Sequence, residues 1–408
     1  MPRLPRFAPL VLLAASLAAL AFLPRTGKTV PLYAARTGLM CQSCHFDPNG
    51  GGPRNEFGFA YAKNRHSLEP DTKEEWKDLS LRNRVSDDFP LYFGVNQRFM
   101  LLANRQLNDD GVDHLGFWNM ENAIYTTFQP HPRLTLSYNA EQTSGANFQS
   151  RDAFAVLGLG ADHYLKAGQF RVPFGLRLDD HTVATRNSFL DYQGGARFLP
   201  YDPRNVDRGI ELGGSHGNLF ARGSFTNGSS SAGNGPPLTN KHPQAVTAKF
   251  GYNASVYQGA VSLYDDWAPG NAAGQSARRT RWGYYAMAHR GPVALLGEIA
   301  AGTDQAWAAG AVTRTNSLAG FVEADWAPHR AYNVRFRYDR LELNRSSDEG
   351  IDALNSWNRF ALEGEWVPVP FAELRWTMRL IDPVSDVDGL GDPVESEKQA
   401  YLQLHLSY

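Results

Sequence analysis

The sequence predicts an all-β protein: a transmembrane antiparallel β-barrel of about 16 strands over residues 88–408, preceded by a small module of another kind. Three observations carry this. Segments of about ten residues repeat with period-two polarity, the length that a tilted membrane strand needs. No long apolar helix follows the N-terminal leader. The connections alternate between short and long around an even number of segments, as in outer-membrane barrels with short periplasmic turns.

The chain opens with Arg3 and Arg6, then an apolar run from Ala8 to Leu23 that Pro24 breaks. A basic start followed by a short apolar stretch is a secretory signal. At about 1.5 Å per residue the run is too short for a bilayer core of about 30 Å, so export outranks a spanning helix. Ala19-Leu20-Ala21 offers a small-x-small cleavage pattern, giving a signal peptide over residues 1–21. The net charge of -2 supplies no basic field for nucleic acid, and no nucleic-acid partner is expected.

Residues 31–66 form the small module, organised on Cys41-Gln42-Ser43-Cys44-His45, which holds the chain's 2 cysteines. The C-x-x-C-H spacing reads as an attachment site for one covalently bound haem c. Each thiol adds to a vinyl group, and the adjacent His45 imidazole binds the iron from the proximal side. A zinc site would call for a second Cys/His cluster, and none follows. A redox dithiol would call for a βαβ setting, whereas Asp47-Pro48-Asn49-Gly50-Gly51-Gly52-Pro53 is a turn segment. A disulfide across two residues would close almost no loop and add little stability.

Asn55 to Arg65 reads as one short helix, with Phe57 and Tyr61 at i and i+4 on a single face. Those two aromatics are expected to pack against the porphyrin, or else to form a minor core pair. His66, at the helix end, is the module's second histidine and the candidate distal iron ligand. Met40 adjoins Cys41 and is badly placed to reach round the ring. Otherwise the sixth position is open or filled by the barrel. Residues 67–87 are strongly charged and read as a connector.

Strands are expected near 91–104, 115–129, 133–143, 152–159, 163–172, 206–215, 218–227, 243–252, 254–266, 278–290, 293–302, 313–327, 331–343, 356–367, 370–381 and 397–408. The clearest alternation sets Ala372, Leu374, Trp376, Met378 and Leu380 on one face and Glu373, Arg375, Thr377 and Arg379 on the other. Tight links such as Gly291-Pro292 and Pro368 follow the even-numbered strands, and long ones follow the odd-numbered strands. Both chain ends then lie on the periplasmic side. Phe128, Tyr252, Trp326 and Trp366 stand beside the tight links, where an interfacial girdle belongs. A mean hydropathy of -0.41 is no objection, because alternate residues face a polar lumen.

The longest link, 173–205, carries Arg177, Arg186, Arg197 and Arg204. It either folds into the lumen as an arginine-lined constriction or lies over the surface. The acidic pairs Asp109-Asp110, Asp265-Asp266, Asp348-Glu349 and Asp386 with Asp388 are either cation-gathering loop sites or solvated residues.

Taken together, Pro31, Ala35-Arg36-Thr37-Gly38, the Cys41 to His45 motif and Phe57-Gly58 resemble the fused monohaem cytochrome–porins of the outer membrane, a family proposed to include ferrous-iron oxidases. The spacing between Arg36 and Thr37 is one residue shorter than in that pattern. The barrel is similar to phosphate-selective porins O and P at Gly168-Gln169-Phe170-Arg171-Val172-Pro173-Phe174-Gly175 and at Asp207-Arg208-Gly209-Ile210-Glu211-Leu212. The resemblance implies an electron conduit in the outer membrane, between an extracellular donor such as Fe(II) and a periplasmic c-type cytochrome. Flow could equally run outward to an external acceptor. The remaining alternative is an anion-selective porin in which the haem module is a plug or sensor. Whether the module sits inside the barrel or hangs below it is left open by the sequence.

Overall fold

The computed structural model describes residues 31–72, 81–105, 113–143, 147–160, 162–177, 183–185, 206–228, 245–269, 276–308, 311–342, 356–385 and 396–408. The signal segment 1–21 lies outside them. Among the described residues, sixteen strands follow two short helices, α1 (Pro31–Thr37) and α2 (Glu56–Lys63). They are β1 (Leu91–Arg105), β2 (Asp113–His131), β3 (Leu134–Thr143), β4 (Gln149–Gly158), β5 (His163–Arg171), β6 (Val206–His216), β7 (Leu219–Thr226) and β8 (Ala245–Asn253), then β9 (Tyr257–Pro269), β10 (Ser276–Arg290), β11 (Val293–Ala308), β12 (Ala311–His329), β13 (Tyr332–Glu342), β14 (Ser356–Val369), β15 (Ala372–Pro383) and β16 (Glu397–Ser407). Each strand pairs antiparallel with its sequence neighbours, and β16 pairs with β1, from Asn96 opposite Ser407 to Arg105 opposite Lys398, so the sheet closes without an edge.

The expected strands are all present, with ends that shift by a few residues. β11 and β12 extend outward to Ala308 and Ala311 and pair there, beyond the ends expected at 302 and 313. Their outer residues, Thr303-Asp304-Gln305-Ala306-Trp307-Ala308 on β11, carry little alternation, so the sequence signal fades before the ladder does. At the short-turn end, Gly217 and Gly291 take φ of 58° and 55°, the left-handed conformation that a tight hairpin requires.

The outer face is apolar. Leu402, Met378, Phe250 and Leu263 are each half exposed or more. So large an apolar band would be a liability in water but is the surface that hydrocarbon solvates. Among the described residues no helix is long and apolar enough to cross a membrane. Tyr332 and Trp366 stack at 6.4 Å beside the short turns, with Trp326 on the same rim, forming the expected girdle. β1 begins and β16 ends at that rim, which puts the strand termini on the periplasmic side.

The inner wall departs from simple alternation. A polar lumen is expected, yet Phe220, Tyr285, Met287, Leu296 and Phe321 are buried on the inside. Their partners are Ala34 and Ala35 of α1, together with Leu176 and Val183 from the long link. The N-terminal module therefore lies inside the barrel, and the lumen carries an apolar patch shaped for it. Burying such side chains contributes roughly 1.5–3 kcal/mol each. The described parts of link 173–205 also turn inward: Gly175 N donates to Ser262 Oγ at 3.0 Å, and Ala184 N donates to Asp339 Oδ1 at 3.3 Å. Arg186, Arg197 and Arg204 lie outside the described residues.

A motif turn held inside the barrel

The Cys-x-x-Cys-His segment is a single turn of 3-10 helix over Cys41–Ser43. Cys44 N and His45 N both donate to Cys41 O at 3.1 Å, which brings two thiols and an imidazole onto one compact turn. Helix α2 is fastened directly beneath it. Asn55 caps that helix by accepting from Gly58 N at 2.9 Å, while Asn55 N donates to Cys44 O at 2.9 Å. Gly58 is required by this approach, since a Cβ there would stand 2.2 Å from the Cys44 carbonyl oxygen. On the other side, Gly50 takes φ of 87°, and a Cβ on it would meet Cys41 Cβ at 2.8 Å.

A buried polar socket grips the residues after the motif. Lys166 of β5, with no exposed side-chain surface, sits 3.0 Å from Asp47 Oδ1 and 3.2 Å from Glu211 Oε2 of β6. Asn49 Nδ2 donates to both Glu211 oxygens at 2.8 Å, and Arg222 Nη1 of β7 donates to Asn49 Oδ1 at 2.6 Å. Tyr164 Oη closes the set on Glu211 at 2.5 Å. Burial alone would raise the Asp47 carboxyl, but the charges of Lys166 and Arg177 outweigh it and hold the group below its usual range. A second anchor joins α1 to the wall, where Arg36 meets Asp325 of β12 in a bidentate pair at 2.7 and 3.0 Å. Burial works against the Arg36 charge, and Asp325 more than restores it. Arg54 adds a third by donating to Ser407 O at 2.6 Å.

The predicted site residues are only partly gathered. Cys41, Cys44 and His45 share the motif turn. His45 borders a cavity of about 380 Å³ that runs along the β1–β5 wall, with Phe59, Arg98, Met120, Arg177 and His405 among its lining. Cys41 borders a much smaller void of about 20 Å³ beside Arg222 and Tyr285. Arg177 lines both spaces, and a Cβ on Gly51 would stand 2.8 Å from its Nε. Two thiols and an imidazole on one turn are the donor set of a covalently held haem; His45 opens onto the larger space, Cys41 onto the smaller, and Cys44 is buried.

The other predicted residues lie elsewhere. Phe57 is 47% exposed at the periplasmic mouth, and it is Phe59 that points inward, with its ring 4.8 Å from Phe371 and 5.3 Å from Tyr408. Tyr61 is buried against Tyr33 at 5.4 Å and stacks on His66 at 5.9 Å. Burial, eased only in part by Arg36, raises the Tyr61 hydroxyl above its ordinary range. Both ring nitrogens of His66 are engaged: Nδ1 with Tyr33 Oη at 2.5 Å and Nε2 with Glu373 Oε1 at 3.3 Å. His66 does not border the cavity that His45 faces, and service as a distal ligand would first require release from these partners. The acidic pair Asp265-Asp266 is committed to arginines, with Asp265 bound to Arg278 at 2.8 and 2.9 Å and Asp266 3.7 Å from Arg279. No group of three or more metal-ligating side chains occurs among the described residues. The other acidic pairs lie outside them. The socket residues Lys166, Glu211 and Arg222 were not picked out from the sequence. A charge at an inward strand position is ordinary in a porin, and only Glu211 falls in a motif that drew attention.

No family profile matches the sequence, and no curated protein matches it. Solved structures do match. The anion-selective porin from Comamonas acidovorans aligns with a TM-score of 0.56 at 11% identity, covering 78% of this chain and 99% of its own. The outer membrane channel DcaP of Acinetobacter baumannii gives 0.57 at 12% identity, covering 80% and 100%. OprB of Pseudomonas putida gives 0.54 at 10%, covering 79% and 95%. With the closed ladder and the apolar outer band, these likenesses establish the fold: an outer-membrane barrel of 16 strands, built on the porin plan.

Proposed function

We propose that the chain is an outer-membrane electron conduit, in which a lumenal module carries one covalent haem c between an extracellular donor, best matched by Fe(II), and a periplasmic c-type cytochrome. The observation that carries this reading is the seating of the Cys41, Cys44 and His45 turn within the barrel wall, clamped by Lys166, Glu211 and Arg222. When bound, such a group supplies reversible one-electron exchange at iron. The chain's own residues do the rest. Cys41 and Cys44 would hold the group by thioether bonds, and His45 would ligate it. The Asp47–Lys166 pair fixes the turn's position across the membrane, and the apolar patch around Ala34 and Leu296 excludes water from the α1 side. A bare porin would have no use for large apolar side chains on its inner wall, since they would face water.

The test is the mass and spectrum of protein exported in a host that matures c-type cytochromes. One added haem is expected, lost in Cys44→Ser, and reduced by Fe(II) or by a periplasmic cytochrome. A protein that leaves export at its bare mass would sink the proposal. A haem-bearing protein indifferent to Fe(II) across pH would sink the iron donor and leave outward electron flow to an external acceptor.

A second reading, an anion-selective porin with the module as plug, is favoured by the arginines that line the main cavity, Arg98 and Arg177 among them, and by likeness to a porin of that selectivity. Planar-bilayer recordings separate the two. A low conductance that rises on deleting residues 36–87 fits the plugged conduit, whereas large anion-selective openings in the intact chain fit the porin.

A further inference from the structure

The sequence contains 6 methionines, and Met120 is the one that borders the same cavity as His45. It gets there by a specific device. In the β1–β2 ladder Arg98 pairs with Glu121 and Phe99 with Asn119, so Met120 is an extra residue in a β-bulge. Neighbouring residues of a regular strand point to opposite faces. Here Met120 and Glu121 are consecutive and both border the cavity, because the bulge turns the inward parity over between them.

We propose that Met120 is the distal axial ligand to the iron of a haem held by Cys41, Cys44 and His45, an inference that rests on the functional reading above. Two axial ligands must face each other across one porphyrin, so the distal donor has to open onto the space that His45 faces. Three donors compete. His66 does not border that space, and its nitrogens are held by Tyr33 and Glu373. His405 borders it, but its Nδ1 lies 2.7 Å from Glu373 Oε2 and its Nε2 is bonded to Asn96 Oδ1. The Met120 sulfur has only Gln403 Nε2 at 3.2 Å, and a thioether is a weak acceptor, so little is lost by releasing it. Met40 and Met287 border the small void next to Cys41 instead. A soft thioether favours the ferrous state and raises the potential of a histidine-ligated haem.

The experiment uses the full chain, matured with haem and checked by mass, as wild type, Met120→Leu, Met120→His and the control Met287→Leu. Barrel folding is read from resistance to unfolding in SDS. The ferric wild type should show the far-red band of a thioether-ligated haem. Met120→Leu and Met120→His should keep the covalent mass, lose that band and move to a lower midpoint potential, while Met287→Leu keeps both. A haem-loaded wild type without the band, or a Met120→Leu protein with band and potential unchanged, would overturn the assignment and leave the conduit intact. A wild type without haem would overturn the conduit and the ligand together.

Discussion

Removing the Lys166 ammonium tests whether the module is held in the lumen by its polar socket. In Lys166→Met the aliphatic volume is retained, but Asp47 loses its partner at 3.0 Å and Glu211 one at 3.2 Å, all three side chains being essentially without solvent. Leaving a buried charge without its counterpart costs about 3–5 kcal/mol. Arg177, 3.9 Å from Asp47, recovers a part of that for one carboxylate. At about 1.4 kcal/mol per decade, the equilibrium between seated and unseated module should move by roughly two to three decades. The barrel ladder does not involve the Lys166 side chain and should stay folded. Limited proteolysis of the folded barrel reads the change, because cleavage follows the open population when reclosing is fast. The module should be cut roughly 100-fold faster or more, and bilayer conductance should rise. Lys166→Met combined with Asp47→Asn should recover part of the protection, since one of the two stranded charges is gone. Cleavage within about threefold of wild type, in a barrel shown to be folded, would refute the socket as the restraint.

The remaining predictions concern the floor, the motif packing, acid and the lipid face. Phe59→Ala should weaken docking of α2 by about 3–5 kcal/mol, since a buried ring between Phe371 and Tyr408 is replaced by a cavity; proteolysis of residues 56–72 is the readout. Gly58→Ala should separate α2 from the motif turn and abolish haem attachment, measured by mass, because no shift of a flexible side chain relieves a 2.2 Å approach to backbone. The Asp47 carboxyl is lowered in the folded chain, so its contribution is present above the ordinary Asp range and is lost as pH falls below it. Module protection should therefore hold at neutral pH and drop in strong acid, and Asp47→Asn should remove that dependence. Met378→Arg places a charge on the outer face, where the side chain is 60% exposed, at a cost of about 2–4 kcal/mol near the bilayer midplane; a change under about 0.5 kcal/mol in refolding titrations would contradict the lipid-facing assignment.

The sequence by itself determined the barrel. Strand period, turn chemistry and the parity of short and long links are local properties, and each is written in adjacent residues such as Ala372 to Leu380 or Gly291-Pro292. It also placed Cys41, Cys44 and His45 on one turn, because they fall within five consecutive residues. It did not reveal the apolar inner patch, since Phe220, Met287 and Leu296 carry no mark that tells lumen from lipid until strand parity is fixed around the whole ring. Phe57 was expected to face inward with Tyr61 at i+4, and the docking of α2 on Phe371 and Tyr408 turned Phe59 inward instead. The placement of the module in the lumen, its socket of Lys166, Glu211 and Arg222, and the meeting of Met120 with His45 at one cavity belong to tertiary structure alone. Each joins residues more than 70 positions apart, and closure of the barrel is what brings them into one lumen.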